Sequence, residues 1–163
     1  MTADALAELV SRHAAALVLY ARQWCASAAD DVVQTAFLKL VRQSPAPAHP
    51  VAWLYTVVRN AAMDASRSDR RRKKHETVAA ERTDTWFEPS DDPTGLDARA
   101  AAAALAELPP ETREVVVAHL WSGQTFEEIA ATVGGSASTA YRRYVTGLSH
   151  LRTLLGAPCP TRT

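Results

Sequence analysis

The first 43 residues carry apolar side chains at helical spacing. Leucine, valine and tyrosine recur three, four and seven residues apart along residues 6–20, and a second such pattern covers residues 28–43, as on one side of a helix. Val33, Phe37 and Leu40 centre the second stripe, which is widened by Val32, Ala36 and Val41. On or near the other side lie Asp31, Gln34, Thr35, Leu38 and Lys39. We therefore predict two amphipathic helices.

A third segment, residues 51–68, carries two stripes. The helix before it should end in residues 44–50, where three prolines remove backbone donors and fix φ. One stripe is apolar and consists of Leu54, Val58, Ala61 and Ala65. The other mixes an aromatic ring with polar groups and consists of Trp53, Val57, Asn60, Asp64 and Arg67. Residues 6–68 therefore predict a three-helix bundle whose third helix has one polar face outside the core.

The C-terminal part contains several helix start and stop signals. Pro109 and Pro110 open a helix that Gly123 ends, since proline suits the first helical position and glycine the residue after the last. Its predicted buried side consists of Val115, Val116, His119 and Leu120. Residues 125–128 read TFEE, a capping-box pattern that starts a short helix. That helix ends at Gly134 and Gly135, where we predict a left-handed turn.

A short helix, a glycine turn and a second helix together predict a helix-turn-helix. Ser136 is placed to cap the second helix, whose inward side is predicted to carry Ala140, Tyr144, Leu148, Leu151 and Leu155. In this motif the N-terminal end of the second helix enters the major groove of DNA. Hydroxyl and guanidinium groups that could meet phosphates or bases gather there, namely Ser136, Ser138, Thr139, Arg142 and Arg143. A plain helical hairpin with surface arginines is the alternative.

Composition supports an all-α protein. The chain has 163 residues, 47% of them hydrophobic, and it is rich in alanine, the strongest helix former. Residues 81–97 hold Pro89, Pro93 and Gly95, which interrupt helices. We predict two small helical domains joined by a flexible linker. The N-terminal domain covers residues 1–78, the linker 79–97, the C-terminal domain with the helix-turn-helix 98–156, and a tail 157–163.

Charge is balanced in total but segregated along the chain. There are 18 basic and 18 acidic residues, yet residues 59–74 hold seven basic and two acidic residues, and residues 75–114 hold three basic and ten acidic residues. Such asymmetry indicates charged partners that the net charge conceals. The run RRRKK at residues 70–74 is typical of phosphate binding, but also of a solvated helix end or a localisation signal.

Several classes of function find no support in the residues. Cys25 and Cys159 are far apart and form no metal-binding spacing. A histidine on an apolar helix face, such as His119, is more often a core or boundary residue than a metal ligand. We find no nucleophile–base set and no phosphate-cradling glycine loop, so we expect neither an enzyme nor a cofactor. The longest apolar run, at residues 14–20, is too short to span a membrane, and we expect a cytoplasmic protein.

Three stretches together resemble a known family. They read DDVVQTAFLKL, WLYTVVRNAAMDASRSDRRRK and LPPETREVVVAHLWSGQTFEEIAATVGGSASTAYRRYVTGLSHLR. In this order and spacing they are similar to the extracytoplasmic-function (ECF) type of bacterial RNA polymerase sigma factor. The resemblance covers nearly the whole chain apart from the linker and the last residues. It implies a protein that binds core RNA polymerase and directs transcription initiation at particular promoters, with an anti-sigma protein as a further potential partner.

The resemblance also implies roles for particular residues. The helix at residues 28–43 would bind the clamp coiled coil of core polymerase through Asp31, Gln34, Thr35 and Leu38. Thr35 is a departure, since the family usually has Glu beside the Gln. The third helix would read and melt the −10 promoter element, single-stranded on its non-template strand, through Trp53, Arg59, Asn60, Asp64, Arg67, Arg70 and Arg71. The helix-turn-helix residues named above would read the −35 element as duplex, and the acidic linker would enter the polymerase.

Two other classes of protein share some of these features. A stand-alone helix-turn-helix regulator would bind duplex DNA as a dimer, without an exposed Asp31/Gln34 face or an aromatic and basic helix before a long acidic linker. A helical adaptor would bind no DNA, and replacing Arg142 and Arg143 by alanine would leave its activity unchanged.

Overall fold

The computed structural model describes residues 2–75 and 98–156. The chain divides into two compact units, one containing each of these ranges. Within the described ranges all regular structure is helical, which confirms the predicted all-α class. The predicted linker and tail lie outside the described residues, so the domain limits drawn from the sequence stay predictions.

Residues 2–75 of the N-terminal unit form three α-helices that pack against one another in all three pairings. Helix α1 spans Ala3–Arg22, α2 spans Ala29–Arg42 after a single 3₁₀ turn at Ala26–Ala28, and α3 spans Pro50–His75. The Thr2 side chain caps α1 by accepting a hydrogen bond from the Ala5 amide at 3.3 Å. Helix α3 continues seven residues beyond the predicted end at residue 68, through the whole basic run at residues 70–74.

The core of this unit is apolar and aromatic. Val33, Phe37 and Leu40 of α2 are buried as predicted, together with Leu17 of α1 and Leu54 of α3. Two edge-to-face ring contacts fix the centre, because the Tyr20 ring lies 5.1 Å from that of Tyr55 and 5.2 Å from that of Trp24. Burial at Cys25 raises the pKa of its thiol to about 11.

Two predictions for this core were wrong. Val41, placed on the buried stripe of α2, is 54% exposed because it lines the edge of an open groove between α1 and α2. In α3, Ala62 rather than Ala61 is fully buried beside Val58. Residues 61 and 62 are adjacent and differ by about 100° around the helix. A shift of the buried stripe by one residue therefore exchanges them.

The described part of the C-terminal unit, residues 98–156, forms four helices. Helix α4 spans Ala98–Glu107, α5 Pro110–Ser122, α6 Phe126–Val133 and α7 Ala137–Leu155. Helix α7 packs on the other three helices. Gly123 ends α5 in the left-handed conformation, at φ 63° and ψ 18°. Gly134 also has positive φ, but its ψ of 152° lies outside the left-handed helical region. The turn after α6 therefore differs from the predicted left-handed turn.

Helix α5 is buried on several sides at once. Five consecutive residues, 114–118, are buried, including the charged residue Glu114 at 3% exposure. The burial of Val115 and Val116 confirms that part of the prediction. Leu120 was placed on the buried side, but it is 49% exposed because it lies beyond the packed stretch, near the end of the helix.

His119 lies at the boundary of this core. Its ring stacks on Phe126 at 4.4 Å and meets the edge of Tyr144 at 4.7 Å, and its Nδ1 lies 2.8 Å from the Gln124 carbonyl oxygen. These contacts join α5, α6 and α7, so this histidine holds the three helices together.

Candidate nucleic-acid and protein interfaces

The outer face of α2 carries the residues that the resemblance assigned to polymerase binding. Asp31, Gln34, Thr35 and Leu38 are all exposed. They are spaced by three, four and seven residues, which places them on one side of the helix. Leu38 is 51% exposed, although a leucine of this size contributes about 1.5–3 kcal/mol when fully buried. The structure therefore brings these four residues together, with an apolar side chain among polar groups.

A groove between α1 and α2 borders this face. Its volume is about 350 Å³, and apolar side chains dominate its lining, which consists of Leu6, Val10, Ala14, Val18, Asp30, Val33, Gln34, Phe37, Leu38 and Val41. Gln34 and Leu38 lie on its rim, whereas Asp31 and Thr35 are not part of the lining. Val10 and Val41 are 39% and 54% exposed in this groove, which the apolar stripes of α1 and α2 did not indicate. The helical periodicity of α1 had marked Val10 only as apolar.

One side of α3 brings together most of the residues assigned to the −10 element. Trp53, Asn60, Asp64, Arg67 and Arg71 follow one another by three, four or seven residues and share a face. Trp53 is half-buried, and the other four are exposed. Arg59 and Arg70 lie about 100° to one side of this face.

The cations of α3 differ in how free they are. Arg67 donates to Asp64 at 3.1 Å, and Arg72 donates to Asp69 at 2.9 Å. Neither Arg70 nor Arg71 forms an ion pair with a described residue. Both arginines line an open concavity of about 510 Å³ together with Asp64 and Arg67. Arg70 and Arg71 are thus available to an anionic partner.

Helices α6 and α7 form the predicted helix-turn-helix. The capping box is complete, since the Thr125 hydroxyl accepts from the Glu128 amide at 3.2 Å and Glu128 Oε2 accepts from the Thr125 amide at 2.9 Å. Ser136 caps α7 by accepting from the Thr139 amide at 3.2 Å. These caps fix where each helix starts, and the packing of α7 on α4, α5 and α6 decides which of its residues face outward.

The five residues predicted to contact the −35 element do not act alike in the structure. Ser138 and Arg142 are exposed on the outer face of α7. Ser136 and Thr139 bind each other, with 3.0 Å between their hydroxyl oxygens, as part of the cap. Arg143 is half-buried, and its Nη2 lies 3.7 Å from Glu111 Oε2 of α5. The prediction also omitted Tyr141 and Val145, which are exposed on the same face as Ser138.

Two sigma-factor families match the chain. Sigma-70 region 2 matches residues 9–72, and Sigma-70, region 4 matches residues 98–151. The RNA polymerase sigma factor CarQ of Myxococcus xanthus is 35% identical over 162 residues, which cover 94% of this chain and 90% of CarQ. The chain belongs to the ECF sigma factor family.

A second relative agrees with this assignment, and two solved structures have a similar fold. The ECF RNA polymerase sigma factor SigL of Mycobacterium tuberculosis is 32% identical to this sigma factor over 155 residues, covering 90% of the present chain and 86% of SigL. The sigma factor RpoE of Bartonella quintana, solved with the anti-sigma factor NepR, matches with a TM-score of 0.76 at 23% identity, covering 97% of this chain and 100% of RpoE. CnrH, solved with the cytosolic domain of CnrY, matches with a TM-score of 0.62 at 24% identity, covering 97% and 92% of the two chains. Both structures share the fold.

Family membership decides the broad function. The sigma factor directs promoter-specific transcription initiation with RNA polymerase. A stand-alone helix-turn-helix regulator is not favoured, because the N-terminal unit matches a sigma region as well. In residues 2–75 and 98–156, no helix is long and apolar enough to cross a membrane.

Proposed function

We propose that the sigma factor binds core RNA polymerase through the outer face of α2. The observation that carries this proposal is the exposure of Leu38, at 51%, between Asp31, Gln34 and Thr35 and on the rim of an apolar groove. Interfaces combine an apolar centre with a polar rim, and this face has both. Thr35 supplies a hydroxyl, a smaller group than the glutamate usual at this position.

Helix α3 is the proposed reader of the −10 element as a single strand. Aromatic rings stack on unpaired bases, and arginines neutralise the backbone that joins them. Trp53 provides the ring at one end of the face, and Arg70 and Arg71 provide cations at the other end without an ion pair to any described residue. Asn60 is exposed between them and offers an amide to a base edge. Arg59, Asp64 and Arg67 border the same surface.

The helix-turn-helix is the proposed reader of the −35 element as duplex. The outward position of Ser138 and Arg142 supports direct contact with base edges, where arginine pairs with guanine. Ser136 and Thr139 are engaged in the cap, and they suit phosphate contacts at the start of α7. The charged groups of Arg143 and Glu111 lie 3.7 Å apart. To bind DNA, Arg143 must break this ion pair or contact the DNA while it keeps the pair.

Regulation by an anti-sigma protein is part of the proposal. The sigma factor RpoE, of the same fold, was solved with the anti-sigma factor NepR, and CnrH, also of this fold, was solved with the cytosolic domain of CnrY. We propose no catalytic activity for this chain, since the polymerase carries out RNA synthesis. Its place of action is then the cytoplasm, where polymerase and chromosome meet.

Run-off transcription tests the proposal. Core polymerase from a related bacterium is combined with the full chain on two templates: the promoter upstream of the chain's own gene, and a pool of genomic fragments. We expect specific transcripts with the wild type and none with Asp31→Ala/Gln34→Ala. The matched control is Asp4→Ala/Gln43→Ala, which removes the same two groups elsewhere in the N-terminal unit.

A second readout separates polymerase binding from promoter recognition. The α2 double variant should fail to co-elute with core polymerase on a sizing column, whereas the control and an Arg142→Ala variant should co-elute. Arg142→Ala should still lose transcripts that depend on the −35 element. Absence of both transcript and co-elution for the wild type would refute the proposal.

A further inference from the structure

The outer face of α7 carries an unexpected pair of apolar side chains. Ser138, Tyr141, Arg142, Val145 and Ser149 are all exposed, and their spacing of three, four and seven residues places them on one stripe. Tyr141 is 55% exposed and Val145 is 46% exposed. A single exposed apolar residue needs no explanation, but two that are adjacent on one stripe and bordered by polar groups form a patch suited to contact a partner.

The packing of α7 fixes the direction of this stripe. Ala140 and Gly147 are buried on the opposite side, where a Cβ atom at Gly147 would meet Val116 and Thr112 of α5. The edge of the Tyr141 ring lies against Phe126 of α6, with 5.4 Å between ring centroids and an angle of 82° between their planes. This contact restrains the tyrosine while leaving more than half of its surface open.

The chemistry around the pair favours DNA over a protein as the partner. Ser138 and Arg142 lie within one turn of Tyr141 on the same face. Residues 136–156 include Arg142, Arg143 and Arg152 and no acidic residue. In the major groove of duplex DNA, the thymine C5-methyl is the apolar group that side chains read, beside the polar base edges that arginine and serine bind.

We propose that Tyr141 and Val145 contact thymine methyl groups in the major groove of the −35 element. The inference rests on the proposed role of the helix-turn-helix and adds a specificity to it. The two residues are one helical turn apart, about 6 Å along the axis, which corresponds to about two base-pair steps at 3.4 Å each. The −35 element of this sigma factor therefore contains thymines that are read by apolar contact, and Arg142 reads a neighbouring polar base edge.

Replacing thymine by deoxyuridine removes only the methyl group, and so it tests the contact directly. Promoter affinity is measured for the holoenzyme, the full chain with core polymerase, on a promoter identified by run-off transcription. Each thymine of the −35 duplex is replaced in turn. We expect at least one replacement to lower the affinity of the wild type about fourfold, the effect of exposing one methyl-sized apolar group.

The same replacements are then repeated with side-chain variants. With Tyr141→Ala or Val145→Ala, replacing the thymine that this residue contacts should no longer lower the affinity, because the contact is already missing. The comparison is a double-mutant cycle. Tyr141→Phe keeps the ring and should keep the penalty. Leu154→Ala is the matched control, because Leu154 is an apolar residue on another side of α7 and is 46% exposed. In this variant the loss of affinity on thymine replacement should persist.

The outcomes separate this inference from the proposed function. A −35 element without thymine, or a penalty that is absent in the wild type or equal in all variants, overturns the methyl contact. In those cases −35-dependent binding itself still stands, because a scrambled −35 duplex lowers affinity. If scrambling has no effect, the proposed role of the helix-turn-helix fails, and this inference fails with it.

Discussion

Gly147 lies where α7 approaches α5 too closely for a side chain. A Cβ atom at this position would lie 2.7 Å from Val116 Cγ2 and 2.9 Å from Thr112 Cγ2. Both neighbours are β-branched and stiff, and Val116 is fully buried. The glycine therefore provides space, although a glycine inside a helix costs about 1 kcal/mol relative to alanine.

We expect Gly147→Ala to destabilise the C-terminal unit. Overpacking costs about 1–3 kcal/mol, which exceeds the gain of about 1 kcal/mol in helix propensity. Urea unfolding of the full chain, followed by circular dichroism, measures the change. The control is Ser149→Ala on the exposed side of α7, which should be neutral or slightly stabilising. A rise in unfolding midpoint for both variants would show that α5 yields without strain.

Single residues of the candidate site were partly predictable. Ser136 caps α7 as the sequence indicated, and Ser138 and Arg142 are exposed on the side of α7 that does not pack. The ion pair between Arg143 and Glu111 was not predictable, because it joins residues far apart in the sequence. Tyr141 was overlooked because an aromatic residue in a helix is usually assigned to the core, and only the packing reveals its exposure.

At the scale of elements, α6 depends on its first turn. The helix has eight residues, too few to be stable alone. The reciprocal hydrogen bonds between Thr125 and Glu128, at 3.2 Å and 2.9 Å, satisfy two amides at its start. Ile129, fully buried, anchors the helix from the other side.

We expect Glu128→Ala to lower the stability of the C-terminal unit by about 1 kcal/mol, the usual contribution of a helix cap. Because α6 packs on α7, the same variant should weaken −35-dependent transcription at temperatures near the unfolding midpoint. Urea unfolding and run-off transcription measure the two effects. Glu127→Ala, an exposed acidic neighbour in the same turn, is the control, and equal losses in the two variants would contradict a role for the cap.

Element boundaries followed from local signals, whereas burial did not. Prolines, glycines and the capping box marked the ends of α5 and α6 within a residue or two of their observed positions. The burial of five consecutive residues in α5 breaks helical periodicity, because neighbours cover more than one of its sides. A pattern with a 3.6-residue period describes a helix with one covered face, so it misplaced Leu120.

For the whole molecule, the distribution of charge matters more than its total. The 18 basic and 18 acidic residues cancel, yet Arg70, Arg71 and Arg142 form no ion pair with any described residue. On α3, Asp64 and Asp69 pair with Arg67 and Arg72. These exposed pairs contribute only about 0.2–1 kcal/mol each, so phosphates can displace the carboxylates.

We expect Arg70→Ala/Arg71→Ala to reduce the salt dependence of promoter binding by the holoenzyme. Each contact to a single-strand phosphate contributes about 0.7 to the slope of log affinity against log salt, so the slope should fall by about 1.4. Affinity measured from low to high potassium chloride gives the slope. The control is Arg12→Ala/Arg42→Ala, two exposed arginines of α1 and α2, and an unchanged slope in the α3 variant would exclude phosphate contacts there.

Because α3 is continuous from Pro50 to His75, it fixes the distance and the angle between the residues on its face. Trp53 and Arg71 share a face 18 residues apart in a helix that runs from Pro50 to His75, so they are separated by about 27 Å at 1.5 Å per residue. Inserting or deleting one residue between them would turn Arg71 by about 100° and shift it by only about 1.5 Å. Point substitutions can therefore tune this surface during evolution, while changes in length dismantle it.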